Sequence, residues 1–491
     1  MTGHILDRSP SVINIGLAEF VSSVANGGGE ALQLDWRPPG YGEAELAWTL
    51  AKLTADDRDA ASPGALIDRA NAEAVQRMID AKPMLIDIAL HARDVWPHMK
   101  RTLLHAGAPV AWEQMCGPMQ GAMVGAVLYE GWEATAEAAR RLLAEGGVTF
   151  IPCHEWNAVG PMAGIISPSM PLFVARNDVH GNHAYTNMSE GIGKVLRFGA
   201  NSRDVIDRLR WIERVLAPGL KGAVNGIDGG IDLKRMQSQA LLMGDEVHSR
   251  NSAATALFYA TIVVPLVESG IDHDQANQIL RYIGGNSQFF LNLSMLSSKA
   301  TMDAAHGVPK SSIVTAISRN GVTTAIRVSG LGEQWFEAPS DMPVGLFFPG
   351  FTQEDANPDL GDSAIAETAG YGGLSMAASP ALLQLVGGFV SEAVGYTREM
   401  YNITVTRNPA MSLPLLDFAG SPTGIDVRKV VDTGIRPVVT TGIAHKQAGV
   451  GQIGAGIVRA PLACFTQALV ALNGVAERTV SDVGGSGSFT S

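Results

Sequence analysis

An α/β fold in several parts, one of them small and all-helical, is what this sequence predicts. Three observations carry the expectation. The first hundred residues alternate strand-length apolar runs with helical stretches. Residues 200–306 carry helical periodicity throughout. From about 311 the pattern returns to short apolar strands separated by Gly-rich loops. At 491 residues the chain has room for about three domains.

In order along the chain, VINIGL (12–17) reads as a buried strand, Ala18 to Ala25 as a helix, Gly27 to Gly29 as a turn, and ALQLDW (31–36) as the next strand, ended by Pro38 and Pro39. A helix around 66–80 leads into MLIDIAL (84–90). Strands alternating with helices predict a parallel sheet in residues 1–104. Its first turn lacks GxGxxG, so a dinucleotide site is not supported there. Residues 105–199 are expected to be the first part of a mixed α/β domain. In it, Gly117, Gly121, Ala122, Gly125 and Ala126 recur at helical spacing and suit a helix packed on another backbone. Residues 200–307 form the helical domain. Residues 308–476 form the rest of the mixed domain, opened by a hairpin at Arg319-Asn320-Gly321, where Asn-Gly is a strong turn signal. The polar Gly/Ser-rich tail, 477–491, reads as a flexible end.

Composition narrows the function. Lys and Arg number 36 against 48 Asp and Glu, a net charge of -12, which argues against nucleic acid or an anionic membrane as main partner. Only 17% of residues are charged, so much weakly polar surface must be covered, and a homo-oligomer or a stable partner complex is expected. Three cysteines (Cys116, Cys153, Cys464) without a CxxC fit a reducing cytoplasm. Residues 1–10 carry Asp7 and Arg8 and do not read as a signal peptide. The apolar runs 253–267 and 368–391 are too short or too rich in Gly and Pro for membrane spans.

Several constellations could carry chemistry. Gly449-x-Gly451-x-x-Gly454 follows an expected strand, but too little chain remains for a nucleotide-binding βαβ unit. With His445 and Lys446 before it, the loop reads either as an anion nest or as a tight interdomain turn. LMGDEVHSRN (242–251) packs Asp245, Glu246, His248, Arg250 and Asn251 at an expected helix start, with Asp245 and His248 on one face; a solvated, capped first turn is the alternative. Asp359, Asp362 and Glu367 in NPDLGDSAIAET could bind a cation or amide N–H groups, or simply cap a helix. His154 follows a strand, a common place for catalytic side chains in α/β folds, with His105 before Ala106-Gly107 a weaker case. Arg319 and Asn320 offer a guanidinium and an amide, which suit carboxylate, phosphate or ureido groups, or they close a structural hairpin.

The segments LLHAGAPVAWEQMCGPMQGAMVGA, PCHEWNAVGPMAGIISPSMP, LMGDEVHSRNSAAT, FFLNLSM, NPDLGDSAIAETAGYGG and TTGIAHKQAGVGQIGAG resemble the large subunit of bacterial oxamate carbamoyltransferase, over about residues 12–475. The resemblance implies a cytoplasmic protein with a Rossmann-like N-terminal part, further α/β parts and a small helical domain. It implies work beside an acyl-CoA-ligase-like subunit and a smaller third subunit in ureide (allantoin) catabolism. The implied reaction exchanges a carbamoyl group between oxalurate and phosphate, giving oxamate and carbamoyl phosphate. The first 80 residues and the tail depart from the family pattern. The phosphate motif SxRT and the HPxQ motif are absent, which excludes the ornithine or aspartate carbamoyltransferase fold.

Chemistry then orders the candidates. His154 is the expected base for the amide nitrogen, with Asp245, Glu246 and His248 as further catalytic candidates. His105, Arg250, Asn251, Arg319, Asn320, Asp359, Asp362, Glu367, His445, Lys446, Gly449, Gly451 and Gly454 are expected to bind substrate. Arg319, Lys446 and the 449–456 loop are expected to converge on one anion site, because an acidic protein needs a local positive pocket for an anionic ureide or carbamoyl phosphate. No cofactor is established by the sequence, and a divalent or monovalent cation stays open. A ureide or amide hydrolase and a non-catalytic assembly subunit remain alternative readings.

Overall fold

The computed structural model describes residues 9, 11–34, 38–54, 59–191 and 193–484. The chain is a multidomain mixture of helices and sheets. Ser11–Ile15 and Glu30–Leu34 pair in parallel across the helix Glu19–Asn26, so the opening segment is one β-α-β unit. Asp35 and Trp36 of the expected second strand, and residues 1–8, lie outside the described residues. The unit does not grow into a larger parallel sheet. Pro83–Ala89, expected to join it, instead pairs antiparallel with Leu172–Asn177 and with Ile231–Asp232. These strands belong to a five-stranded sheet completed by His183–Asn187 and Ala158–Val159, the last two running parallel. The parallel, Rossmann-like sheet expected over 1–104 is therefore corrected. The partners of Pro83–Ala89 come from beyond that window, where local alternation cannot register them.

Local expectations fare better. Helix Pro63–Asp80 starts where Pro63 fits a first turn and the Ser62 hydroxyl accepts from Ala65 N–H. Helix Gly117–Glu130 packs on backbone as its small residues predict, since a Cβ on Gly121 would run into the carbonyl oxygen of Gly199. Residues 203–305 are mostly helical, with one short strand, Ile231–Asp232, and connecting loops, among them 243–251. The last of these helices, Phe290–Ala305, is buried along its length except at Asp303. It runs through the centre of the molecule, so it lacks the polar face of a surface helix.

The hairpin Val314–Asn320 and Thr323–Val328 forms as expected and sits between Phe336–Pro339 and Leu360–Gly361 in a four-stranded antiparallel sheet. Thr149–Pro152, Thr102–His105 and Ile165–Ile166 form a neighbouring three-stranded sheet. Near the C-terminus, Gln452–Arg459 lies between Val344–Phe347 and Val438–Ala444. The closing helix Leu462–Gly484 extends into the expected flexible tail, whose residues 485–491 lie outside the described residues. Among the described residues no helix is long and apolar enough to cross a membrane. Run 253–267 lies within helix Ser252–Glu268, and 368–391 contains the buried turns Gly372–Ala378.

Two large apolar cores organise these elements. One includes Met78, Met123, Phe173, Phe258, Phe290 and Leu296; the other includes Leu50, Ile317, Ile326, Val430 and Phe465. Residues 308–476 contribute to both, through Ile313 and Ala444 in the first and Ile317 and Phe465 in the second. The four-stranded sheet thus lies where the two cores meet, beside the central helix.

Candidate functional site

Asp362 is the crossing point of segments far apart in sequence. Its Oδ1 accepts from Gly107 N–H at 2.9 Å and from the Ser318 hydroxyl, and its Oδ2 accepts from Gly160 N–H at 3.0 Å. Gly361 before it has φ +114, and a Cβ there would lie 2.5 Å from Met162 N, so only glycine lets this loop close on the 160–162 turn. Burial pushes the Asp362 carboxyl up, against the pull of Ser318, Gly107, Gly160 and Arg319. One strand position on, Arg319 is wholly buried and paired with Asp359, Nε to Oδ2 at 2.7 Å. Thr441 hydroxyl donates to the other Asp359 oxygen at 2.8 Å. Only Arg319 Nη1 is left unpartnered.

Residues 245–251 are a bent loop, which corrects the expected helix face for Asp245 and His248. Val247, a β-branched residue, sits at φ 57 between two helices. Glu246 clamps the bend by accepting from the N–H groups of His248 (2.5 Å), Ser249 (2.6 Å) and Arg250 (2.8 Å). Burial pushes Glu246 up to about 7. Asp245 joins Arg250 Nη1 at 2.6 Å to the N–H of Ala254 at 2.9 Å, and Asn251 donates to the His248 carbonyl at 2.6 Å. His248 Nδ1 bonds Glu367 Oε1 at 2.8 Å, where Gly373 N–H also donates at 2.9 Å. The 245–251 and 359–367 clusters are thus brought together and buried, as their apolar flanks imply.

His154 lies on the other side of Asp362. Strand Thr149–Pro152 delivers it into a turn, Cys153–Trp156, at the C-terminal end of the strand. Its Nε2 is buried without a hydrogen-bond partner, 3.7 Å from Asp362 Oδ1, and its ring meets Trp335 edge-on at 5.6 Å. Burial, then the cations Lys299 and Arg327 and then His306, hold it well below the usual imidazole range, so the ring is neutral. It lines a cavity of about 160 Å³ with Lys299, Asp303, His306, Thr315, Arg327 and Glu333. Lys299 Nζ donates to Asp303 Oδ1 at 2.6 Å, and Arg327 Nη1 to Glu333 Oε2 at 2.6 Å. The adjacent Cys153 thiol is pushed well up by burial, first of all, and by Asp362, so it is no thiolate nucleophile.

The remaining candidates disperse. His105 is buried, lowered by burial to about 4, and bonded to the Ala106 carbonyl. Asn320 is spent on its hairpin, accepting from Val322 and Thr323 N–H and donating to Thr323 hydroxyl. The expected anion site at Arg319, Lys446 and 449–456 is corrected. Arg319 is neutralised by Asp359, and exposed Lys446 donates to the Glu354 carbonyl at 2.6 Å. Gly449 and Gly451 form a turn in which His445 N–H donates to Gly451 O, and Gly454 lies inside strand Gln452–Arg459, paired on both sides. Backbone donors used by a sheet cannot converge on an anion. Among the described residues no group of three or more His, Cys, Asp or Glu is placed to hold a metal ion.

Sequence reasoning missed Lys299, His306 and Arg327. Lys299 was visible as a lone cation inside the apolar FFLNLSMLSSKATMDAA, with Asp303 one turn on. Arg327, between Ile326 and Val328 in a buried strand, gave the same kind of signal.

Fold and site together define a multidomain α/β protein with a partly open, charge-lined cavity at the meeting of its two cores. Comparison with known proteins places it more closely. The family described as oxamate carbamoyltransferase subunit AllG matches residues 148–363. The chain is 49% identical over 411 residues to oxamate carbamoyltransferase subunit AllG of Escherichia coli (strain K12), covering 83% of this chain and 97% of that one. It is 44% identical over 472 residues to the uncharacterized protein YahG of the same organism, covering 96% and 98%. A crystal structure of a conserved protein of unknown function from Enterococcus faecalis V583 superposes with a TM-score of 0.83 at 47% identity, over 84% of this chain and 99% of that one. The chain belongs to the AllG family of oxamate carbamoyltransferase subunits.

Proposed function

We propose that this chain carries the carbamoyl exchange of an oxamate carbamoyltransferase, between oxalurate and phosphate, to give oxamate and carbamoyl phosphate in ureide catabolism. The observation that supports it best is the neutral, buried His154 with an unpartnered Nε2 at the cavity wall. In phosphorolysis of oxalurate, a phosphate oxygen bonds the ureido carbon, the carbon–nitrogen bond breaks, and the departing oxamate nitrogen gains a proton. In the reverse direction that nitrogen must lose a proton, and a neutral imidazole is the suitable base. Asp362 Oδ1 lies 3.7 Å from the same Nε2 atom.

The chain works in the cytoplasm with an acyl-CoA-ligase-like subunit and a smaller third subunit, and associates with itself. Supporting assembly, Ile13, Leu17, Phe20 and Leu32 of the β-α-β unit are exposed apolar side chains, as are Val344 and Phe389 elsewhere. The test is turnover of oxalurate by the chain purified with its partner subunits. Release of carbamoyl phosphate that depends on added phosphate supports the reading. Phosphate-independent release of ammonia would replace it with a hydrolase, and full activity of the partners without this chain would make it an assembly subunit.

A further inference from the structure

We infer that Arg327, Lys299, His306 and the His154 ring form a binding site for a small oxyanion of the phosphate or carboxylate class. The site lies in the cavity between the central helix Phe290–Ala305 and the strand Thr323–Val328. The inference deepens the proposed function and rests on it for the reaction served; the binding is argued from geometry alone.

Arg327 is pinned on two sides. Its Nη1 is held by Glu333 at 2.6 Å, and its guanidinium lies 4.4 Å from the centre of the Trp335 ring. Its Nε and Nη2 are buried with no hydrogen-bond partner. Those two N–H groups form one edge of the guanidinium, the pair that meets two oxygens of a carboxylate or phosphate side by side. Native proteins leave very few buried donors unmet, and a fixed cation with a whole edge unmet points to a missing anionic partner. Two ring nitrogens around the cavity are also without hydrogen-bond partners, His154 Nε2 and His306 Nε2, while His306 Nδ1 is anchored on Thr315 hydroxyl at 2.8 Å. Asp303 Oδ1 holds Lys299 at the cavity wall, and its Oδ2 is an unmet acceptor that a bound anion leaves unmet. The cavity, about 160 Å³, is several times the ~30 Å³ share of one water.

The charge balance refines the proposal. Arg327 and Lys299 are paired with Glu333 and Asp303, and Glu155 also lines the cavity, so the empty site carries a net negative charge before its histidines titrate. An arriving oxyanion brings uncompensated charge. Burial first, with Lys299 and Arg327, holds both His154 and His306 below the ordinary imidazole range in the empty site, for His306 against the upward pull of Glu333 and Asp303, and a bound anion works against that bias. Binding therefore takes up a proton and tightens as pH falls. Glu333, 3.8 Å from His306 Nε2, favours the same protonation, and Asp362 Oδ1 lies 3.7 Å from His154 Nε2. Glu333, whose side chain is 74% exposed, holds Arg327 from the solvent side and competes with the ligand.

The test is calorimetric titration of the full chain with inorganic phosphate, sulfate and oxamate, in two buffers of different ionisation enthalpy. Saturable binding is expected. Arg327→Lys keeps the charge but loses the two-donor edge, and should weaken binding roughly 10- to 150-fold. Glu333→Gln, at an exposed position, should strengthen it. Sulfate, which does not itself titrate near neutrality, should bind with net proton uptake. Whichever of phosphate and oxamate loses most affinity in Arg327→Lys is the class the site reads. No saturable heat with any of the three overturns the inference, as does an affinity unmoved by both substitutions. Should Arg327→Lys not fold, unchanged affinity in Glu333→Gln with no proton uptake overturns it alone. Arg327-dependent binding without phosphate-dependent turnover would sink the proposed function and keep the site. Phosphate-dependent turnover unaffected by Arg327→Lys would sink the site and keep the function.

Discussion

At Asp362 both carboxylate oxygens have donors, while in the same four-stranded sheet Arg327 has two buried donors with nothing to receive them. The two regions use similar residues and share His154 as a boundary. On the Asp362 side, Arg319, Asp359, Thr441, Glu246, His248 and Glu367 bond one another and the backbone, with one donor of Arg319 and one oxygen of Glu367 left over. On the cavity side, unmet groups of Arg327, His154, His306 and Asp303 surround a partly open cavity. A satisfied buried network fixes a structure, and an unsatisfied one awaits a ligand. Chemical character alone does not separate scaffold from site; the state of the hydrogen bonds does.

The strongest way to break the comparison is Asp362→Ala. It strands three donors at the meeting of the two cores and should lower unfolding free energy by at least about 4 kcal/mol, or prevent folding, as urea titration would show. Next comes Arg319→Met, which leaves Asp359 buried without its cation and should cost about 3–5 kcal/mol. Adding Asp359→Leu should recover much of that loss; if the double substitution is no better than the single, the pair is not the unit of stability described here.

A third expectation concerns pH. Glu246 is raised to about 7 by burial, above the ~4.3 of an unfolded glutamate, so the native state holds its proton more tightly. Its contribution is fully present below about pH 4.3 and is lost as pH rises through 7. The size is roughly 3–4 kcal/mol, and Glu246→Gln should remove that slope from a stability–pH profile. The smallest effect belongs to Lys446→Ala. Its ammonium is exposed and bonded to a carbonyl, so stability should change by less than about 0.5 kcal/mol and oxyanion affinity not at all. A loss of affinity there would return the anion site to the 446–456 region.

Features written in local chemistry were legible in the sequence. Asn320-Gly321 announced its hairpin because turn geometry is set by two residues, and Gly117, Gly121 and Gly125 announced a close-packed helix by their spacing. The place of His154 after its strand was legible from position. Strand direction was not, because Pro83–Ala89 finds its partners at 172–177 and 231–232. Spacing misled at Asp245 and His248, where Val247 turns the backbone out of a helix. It misled again at Gly449-x-Gly451-x-x-Gly454, where the next element is a strand. Arg327 and Lys299 could be noticed as cations in apolar elements, but only the fold brings them to one cavity.

The measurement that bears most directly on the division of labour between the two regions is His154→Asn, assayed for phosphate-dependent oxalurate turnover in the complex with its partners and for thermal unfolding in the same preparation. The side chain is buried beside the cavity and its Nε2 holds nothing in place, so its chemistry and its structural contribution separate. Turnover should fall by about 10²- to 10⁴-fold, the range of a lost general acid–base, while Tm moves by no more than a few degrees. Wild-type turnover in His154→Asn, or a loss of turnover that only tracks unfolding, would contradict the account.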